Sequence, residues 1–137
     1  MSHIRTTLRA ALVQLLKDAD TDAGDNVYPN RQTATWTSEL PAIFVFTKDE
    51  QANQRALNSS QSIRALQLIF ELRVFANDTT DDDLDTLAKQ VEDVIAVADI
   101  SGTLGRPIYK TTTVELDSNG ETQSGVLQLT FEIQYIQ

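Results

Sequence analysis

The chain has 137 residues, 41% of them hydrophobic, and a formal net charge of −9. This length and apolar content suit a single domain, residues 1–137, with its own core. The absence of cysteine excludes disulfide bonds and thiolate metal sites. No apolar run approaches the roughly 20 residues that a bilayer-spanning helix needs, so we expect a protein made and used in the cytoplasm, without a membrane partner.

The acidic charge is concentrated in one part of the chain. Residues 1–76 carry eight acids and eight bases, whereas residues 77–137 carry twelve acids and three bases. Nucleic-acid-binding proteins usually gain affinity by setting clustered Lys and Arg against phosphates, and this acidic chain has no such cluster. We therefore expect no direct recognition of nucleic acid.

An amphipathic helix is predicted at the N-terminus, because apolar residues recur there at steps of three and four. These residues are Ile4, Leu8, Leu12, Leu15 and Leu16. The helix is expected to end near Asp20, in a turn-forming stretch where Gly24 is the expected site of a positive φ angle. Residues 27–40 are polar apart from Tyr28 and Trp36, and we interpret them as a long connection that lays one aromatic ring over the core.

Two strands are predicted in the middle of the chain. The first, AIFVF, follows Pro41, whose missing N–H is tolerated at a strand entrance. Its residues do not alternate between apolar and polar, which is typical of a central strand covered on both faces. The second, over residues 62–77, alternates with period two. The polar residues from Thr47 to Ser62 are interpreted as a long loop between them.

A second helix is predicted within residues 77–99. Its apolar stripe comprises Leu84, Leu87, Ala88, Val91, Ile95 and Ala98. Thr80 and Asp81 are expected to cap the helix, and the following aspartates to lie in its first turn, where the helix dipole favours negative charge. Ser101, Gly102 and Gly105 are expected to end it.

Two further strands, residues 106–117 and 122–137, are predicted to form a hairpin that turns at Asn119 and Gly120. The predicted order is helix, strand, strand, helix, strand, strand. A two-layer α+β sandwich buries these apolar surfaces, with both helices on one face of a mostly antiparallel sheet of four, or slightly more, strands.

No set of residues has a spacing that indicates catalysis. His3 is the sole histidine and lies near a terminus expected to be loose, so a Ser–His or Cys–His pair has no stable partner. The stretch SGTLGR, residues 101–106, lacks the Gly-Lys-Ser/Thr ending of a phosphate loop and is interpreted as the end of a helix. The sequence therefore favours a protein that is not an enzyme.

Two groups of acids leave alternatives open. A hydrolase carboxylate pair could in principle come from Glu39, Asp49, Glu50 or Glu71, although no spacing singles out two of them. A hard cation such as magnesium could bind Asp81, Asp82, Asp83 and Asp85. The simpler interpretation of these four aspartates is a solvated helix start, and we expect no cofactor.

Three stretches follow one another in a recognisable order. A Pro-Ala pair precedes an apolar strand ending in Thr (residues 40–47), an alternating strand runs into an acid-led helix (residues 65–97), and a final strand ends in an aromatic residue (residues 124–135). This arrangement, which covers most of the chain, resembles the minor tail protein U family. These are the tail terminator or tail completion proteins of long-tailed bacteriophages.

The resemblance implies a structural role without catalysis. Proteins of this family form a six-membered ring that caps the finished tail tube, stops further addition of tube subunits and offers a surface to the head-side connector. The implied partners are copies of the chain in a hexameric ring, the tail tube protein, and head–tail connector or neck proteins. The implied location is the head-proximal end of the virion tail, after assembly in the host cytoplasm.

Partner contacts are expected on the predicted polar loop, because long loops in compact domains are usually functional or disordered. The candidates are Lys48, Asp49, Glu50, Arg55 and Asn58, with Arg31 and Arg106 as further charged contacts. Solvated charge is the alternative interpretation of each, since an exposed charge usually contributes little. In contrast, Phe44, Phe46, Phe70 and Phe131 are predicted to be core.

The sequence is also compatible with other functions. A head–tail connector or neck protein could have a similar small α+β fold. A small-molecule-binding module would show a ligand in an apolar pocket, and a carboxylate enzyme would lose its activity on a single Asp or Glu change.

Overall fold

The computed structural model describes residues 3–29, 40–55, 62–76, 78–100, 102–117 and 124–136. In chain order its elements are α1 (Ile4–Asp18), β1 (Val27–Tyr28), β2 (Ala42–Arg55), β3 (Ser62–Phe75), α2 (Thr80–Ile95), β4 (Leu104–Asp117) and β5 (Ser124–Ile136). The α+β class predicted from the sequence is confirmed.

The strands form one sheet in the order β1–β2–β3–β5–β4. The pairs β2–β3, β3–β5 and β4–β5 are antiparallel, whereas β1 runs parallel to β2. The sheet is therefore mixed. Two long hairpins, β2–β3 and β4–β5, make up most of it and meet along β3 and β5.

Both helices pack on one face of the sheet, with α1 against β1 and β2 and α2 against β3 and β5. The main core lies between these layers. From β3 and β5 it receives Leu66, Leu68, Phe70, Leu72, Val74, Leu127, Leu129, Phe131, Ile133 and Tyr135. Full burial of one large apolar side chain is worth about 1.5–3 kcal/mol, so this face supplies most of the hydrophobic stabilisation.

A smaller core on the opposite face explains why AIFVF does not alternate. Ile43 and Val45 belong to the main core, whereas Ala42, Phe44 and Phe46 belong to this second cluster. The predicted burial of the strand on both faces is confirmed. All four phenylalanines predicted to be core are at most 9% exposed.

Two side chains lie against the Phe44 ring on this second face. Tyr28 stacks on it with 5.4 Å between ring centroids, and the guanidinium carbon of Arg73 lies 5.8 Å from its centroid. Tyr28 is thus an aromatic residue of the polar connection that covers the core. Trp36, the other candidate, lies outside the described residues.

His3 caps the start of α1, although the sequence predicts that this terminus is loose. It is the N-cap residue, and its Nδ1 accepts a hydrogen bond of 3.1 Å from the backbone N–H of Arg5. Its ring lies edge-on to Tyr135, with 6.4 Å between centroids. At the other end of the helix, Gly24 has φ of 59°, as the turn required.

The sheet has five strands, within the predicted four or slightly more, but the predicted element order lacks β1. Val27 and Tyr28, assigned to an irregular connection, pair in parallel with Ile43 and Phe44. Two residues are too few to show a period, and the pairing depends on a strand that is distant in the sequence.

The predicted loop from Thr47 to Ser62 is wrong for residues 47–55 and for Ser62, which are in strands, and residues 56–61 lie outside the described part of the chain. β2 continues through it to Arg55, which pairs with Ser62 at the start of β3. The register shifts between Thr47 and Glu50 and again between Ala52 and Gln54. Residues 48, 49, 51 and 52 are exposed, and the two register shifts interrupt the regular pairing. The sequence here therefore lacks the alternation of apolar and polar residues from which a strand is predicted. We call residues 47–55 and their partners 62–68 the hairpin arm.

The ends of α2 also differ from the prediction. Thr79, not Thr80, is the N-cap residue, and its Oγ1 donates to a carboxylate oxygen of Asp83 at 3.0 Å. The helix ends at Ile95, so the buried Ala98 lies beyond it. Gly105, predicted to end the helix, lies in β4.

Candidate functional site

The predicted contact residues occupy different environments. Lys48 and Asp49 are exposed on the hairpin arm, and Arg106 is exposed on β4. Arg55 lies at the end of β2. Arg31 and Asn58 lie outside the described residues. The arm therefore places Lys48 and Asp49, but not Arg106, on one edge of the sheet, and their role as contacts stays a prediction.

Glu50 is held inside the protein by three donors from three elements. Its Oε2 accepts hydrogen bonds of 3.0 Å from Arg5 of α1 and from Arg64 of β3. Its Oε1 accepts the hydroxyl of Tyr135 from β5. The Glu50 side chain is only 15% exposed, whereas those of Arg5 and Arg64 are 37% and 32% exposed. We call these four residues the Glu50 network.

The network sets the charge of its members. Burial raises the pKa of Glu50, but the hydrogen bonds from Tyr135 and Arg64 and the charge of Arg5 outweigh it, so this pKa lies below the ordinary 4.5. Burial, together with the hydrogen bond to Glu50, raises the pKa of Tyr135 above 10.0. At neutral pH the carboxylate is ionised and the phenol is neutral. The network therefore joins the hairpin arm to α1 and β5 through charged hydrogen bonds.

Glu71, the other well-placed acid, belongs to the opposite face of the sheet. Its two carboxylate oxygens accept hydrogen bonds of 2.9 Å from Nε of Arg73 and from the side-chain amide of Gln128. Glu50 pairs with Leu66 on the helix side, whereas Glu71 pairs with Phe44 on the other side. The sheet separates the two carboxylates, so they cannot form a hydrolase pair.

The exposed apolar side chains of β4, which lie on both of its faces, were not anticipated from the sequence. Leu104, Ile108, Tyr109 and Val114 are 43%, 55%, 49% and 53% exposed. β4 is the last strand of the described sheet, and α1 and α2 pack chiefly over the other strands. The signal in the sequence is weak: RPIYKTTTVELD has few apolar residues to place on a buried face.

An exposed edge strand usually carries features that prevent indiscriminate pairing. In β4 these lie in the first half, where Pro107 lies within one register shift and Lys110 within a second one. The register is regular from Thr111 to Asp117.

Charge is divided between the two ends of the strands. We call the end where β2 begins and β3 finishes the acidic end. The start of α2 lies there, since a Cβ on Gly125 would overlap Thr80 and meet Leu84. Its exposed acids are Asp18, Asp20, Asp22, Asp25, Asp78, Asp81, Asp82, Asp83, Asp85 and Glu115. Lys17 and Arg73, the latter bound to Glu71, are the bases that the described residues place at this end.

A cleft with both polar and apolar walls lies among these acids. Its volume is about 390 Å³, and it is lined by Asp22, Leu40, Pro41, Val74, Phe75, Asp83 and Leu87. Phe75 is 46% exposed. The acidic end thus combines carboxylates with accessible apolar surface.

The opposite end carries most of the arginines, and we call it the basic end. Arg5 and Arg64 are bound to Glu50, Arg9 donates to Thr47, and Arg106 is exposed. Lys110, nearer the middle of β4, lies 3.6 Å from Glu132. Three apolar side chains are exposed here on the face away from the helices, namely Leu104, Ile108 and Ile136.

Other kinds of site receive no support from the described residues. They contain no group of three or more His, Asp or Glu side chains placed to hold a metal ion. Magnesium at Asp81, Asp82, Asp83 and Asp85 therefore stays a prediction. No helix in the part of the chain that the structure describes is long and apolar enough to cross a membrane.

Comparison with known proteins supplies the family. No curated protein sequence matches this chain. A chain in a solved structure described as "Virion of native gene transfer agent (GTA) particle" has the same fold, with a TM-score of 0.60, 15% identity, and coverage of 97% of this chain and 99% of that chain. The phage minor tail protein U family matches residues 3–135, nearly the whole sequence, and confirms the resemblance. This chain therefore belongs to the phage minor tail protein U family, a family of phage tail structural proteins.

Proposed function

We propose that the protein is a tail terminator. Six copies form a ring on the head-proximal end of the tail tube, stop the addition of tube subunits and offer the surface to which the head-side connector attaches. The observation that carries this proposal is the family match over residues 3–135. Because it spans both helices and all five strands, the match concerns the whole domain.

The surface of the chain is suited to a ring. A ring of identical subunits needs a heterologous interface, in which one patch meets a different patch of the next copy. The acidic and basic ends, defined above, are two unlike patches on one chain. Electrostatic complementarity of this kind favours the correct partner and raises the encounter rate.

The remaining surfaces are available to other components of the virion. The exposed Lys48 and Asp49 lie toward one edge of the sheet, and β4 forms the opposite edge. We assign the tail tube protein and the connector or neck proteins to such surfaces. Assembly takes place in the host cytoplasm, and the finished ring is in the virion.

The test is deletion of the gene, followed by electron microscopy of the particles. A terminator predicts tubes of uncontrolled length that carry no heads, and restoration of normal particles when the wild-type gene is supplied separately. Tails of uniform length without heads would assign the chain to a connector or neck role instead. Uniform tails joined to filled heads would exclude both functions.

A further inference from the structure

We propose that the ring closes by contact of the basic end of one copy with the acidic end of the next. This proposal rests on the ring function above and adds which surfaces meet. The occupant of each end is a second copy of this chain.

Charge is the first reason. The described residues place ten exposed carboxylates at the acidic end, whereas the exposed bases Arg106 and Lys110 lie on β4 toward the other end. Two acidic ends would repel each other, and like charges set opposite one another cost several kcal/mol at an interface. Electrostatics therefore favours an interface between the acidic end of one copy and the basic end of another.

Exposed apolar surface is the second reason. Leu104, Ile108 and Ile136 are each more than 40% exposed at the basic end. At the acidic end, Phe75 lines the cleft between Asp22 and Asp83. Carboxylates dominate the charge around this cleft, whereas at the basic end bases outnumber acids, because Glu50 and Glu132 are paired with Arg5, Arg64 and Lys110. Each end therefore combines exposed apolar side chains with a charged surround, which is the composition of a protein interface with an apolar core and a polar rim.

Geometry is the third reason. Arg106 and Lys110 lie within the two register shifts of β4, whereas Asp81 and Asp82 lie in the first turn of α2. These groups belong to different elements at different ends of the sheet. Their contact is head-to-tail, so it extends from copy to copy and can close into a ring.

The experiment reverses the charges of each end and measures self-association by sedimentation velocity up to about 1 mM protein. The basic-end variant is Arg106→Glu with Lys110→Glu, and the acidic-end variant is Asp22→Lys with Asp82→Lys. We expect each to weaken association at least about tenfold. A chain carrying all four changes should associate again, because its reversed ends are complementary.

The control is Lys89→Glu, which reverses a charge on the exposed face of α2. Lys89 is 77% exposed, and its pair with Asp93 is worth little. This variant should associate like the wild type. Circular dichroism and thermal melts must show that all variants fold.

Three results would overturn the proposal: a wild type that stays monomeric at 1 mM, single-end variants that associate normally, or a folded four-change chain that does not recover. Failure here is separable from failure of the terminator function. Tubes of uncontrolled length in the deletion strain would still establish the terminator, with its ring closed by other surfaces.

Discussion

The Glu50 network makes the most quantitative prediction about this fold. Replacing Glu50 with Ala removes the acceptor of two guanidinium groups and of the Tyr135 hydroxyl. Hydrogen bonds to charged groups contribute about 1.5–3 kcal/mol each, but the two arginines are about one-third exposed and regain water, so their loss counts for little. The buried hydroxyl of Tyr135 keeps Arg64 beside it but loses the acceptor of its own proton, which costs about 1–3 kcal/mol.

We therefore expect Glu50→Ala to lower the free energy of unfolding by about 1–3 kcal/mol at pH 7. In a domain of this size, 1 kcal/mol shifts the melting temperature by roughly 3 °C, so the expected loss is about 3–9 °C. Tyr135→Phe keeps the ring and removes the hydroxyl. The double variant should cost less than the sum of the two single ones, because neither group is then left without its partner.

The pH dependence of the same effect follows from the pKa of Glu50. Because its pKa in the folded protein lies below the ordinary 4.5, the network's stabilisation is complete above that value and is lost as the pH falls through the folded pKa. The stability gap between wild type and Glu50→Gln should be constant near neutrality and shrink in acid. Urea unfolding at several pH values measures it. Equal stability at pH 7, or a gap that does not shrink in acid, would refute this account of the network.

Three further predictions concern packing and contact. Gly125→Ala should cost about 1–3 kcal/mol because its Cβ would overlap the methyl group of Thr80, and Thr80→Ser in the same chain should restore part of the loss in a urea titration. Ile108→Ser should change monomer stability by less than about 0.5 kcal/mol, because the Ile108 side chain is 55% exposed. Phe131→Ala should cost about 3–5 kcal/mol, because the Phe131 side chain is only 2% exposed. Similar losses from the two substitutions would mean that β4 is covered. Charge reversal at Lys48 or Asp49 should leave the melting temperature unchanged but reduce the yield of complete tails, and normal yields from both variants would remove the arm from the contact surface.

The sequence predicts those helices and strands in which apolar residues recur at a regular spacing. The alternation in residues 62–77 and the stripe from Leu84 to Ile95 correspond to β3 and α2, because one face of each packs on the core. Likewise, the unbroken AIFVF run predicts burial on both faces. These features are local consequences of burial.

The parts that could not be predicted depend on distant pairing. β1 has two residues and is a strand only because β2 lies beside it. The hairpin arm is polar because Lys48 and Asp49 project into solvent, and polarity alone does not separate such a strand from a loop. Similarly, the sequence places the acidic excess in residues 77–137, but only the fold brings Asp22 and Asp83 to one cleft.

The central claim is that this chain caps the tail tube at the head. The most direct measurement is a cryo-EM reconstruction of the head–tail junction in intact particles, with the side-chain density of this sequence assigned. The account predicts six copies in a single ring on the last layer of tube subunits, below the connector. Copies repeated along the tube, or located only at the distal tip, would contradict it.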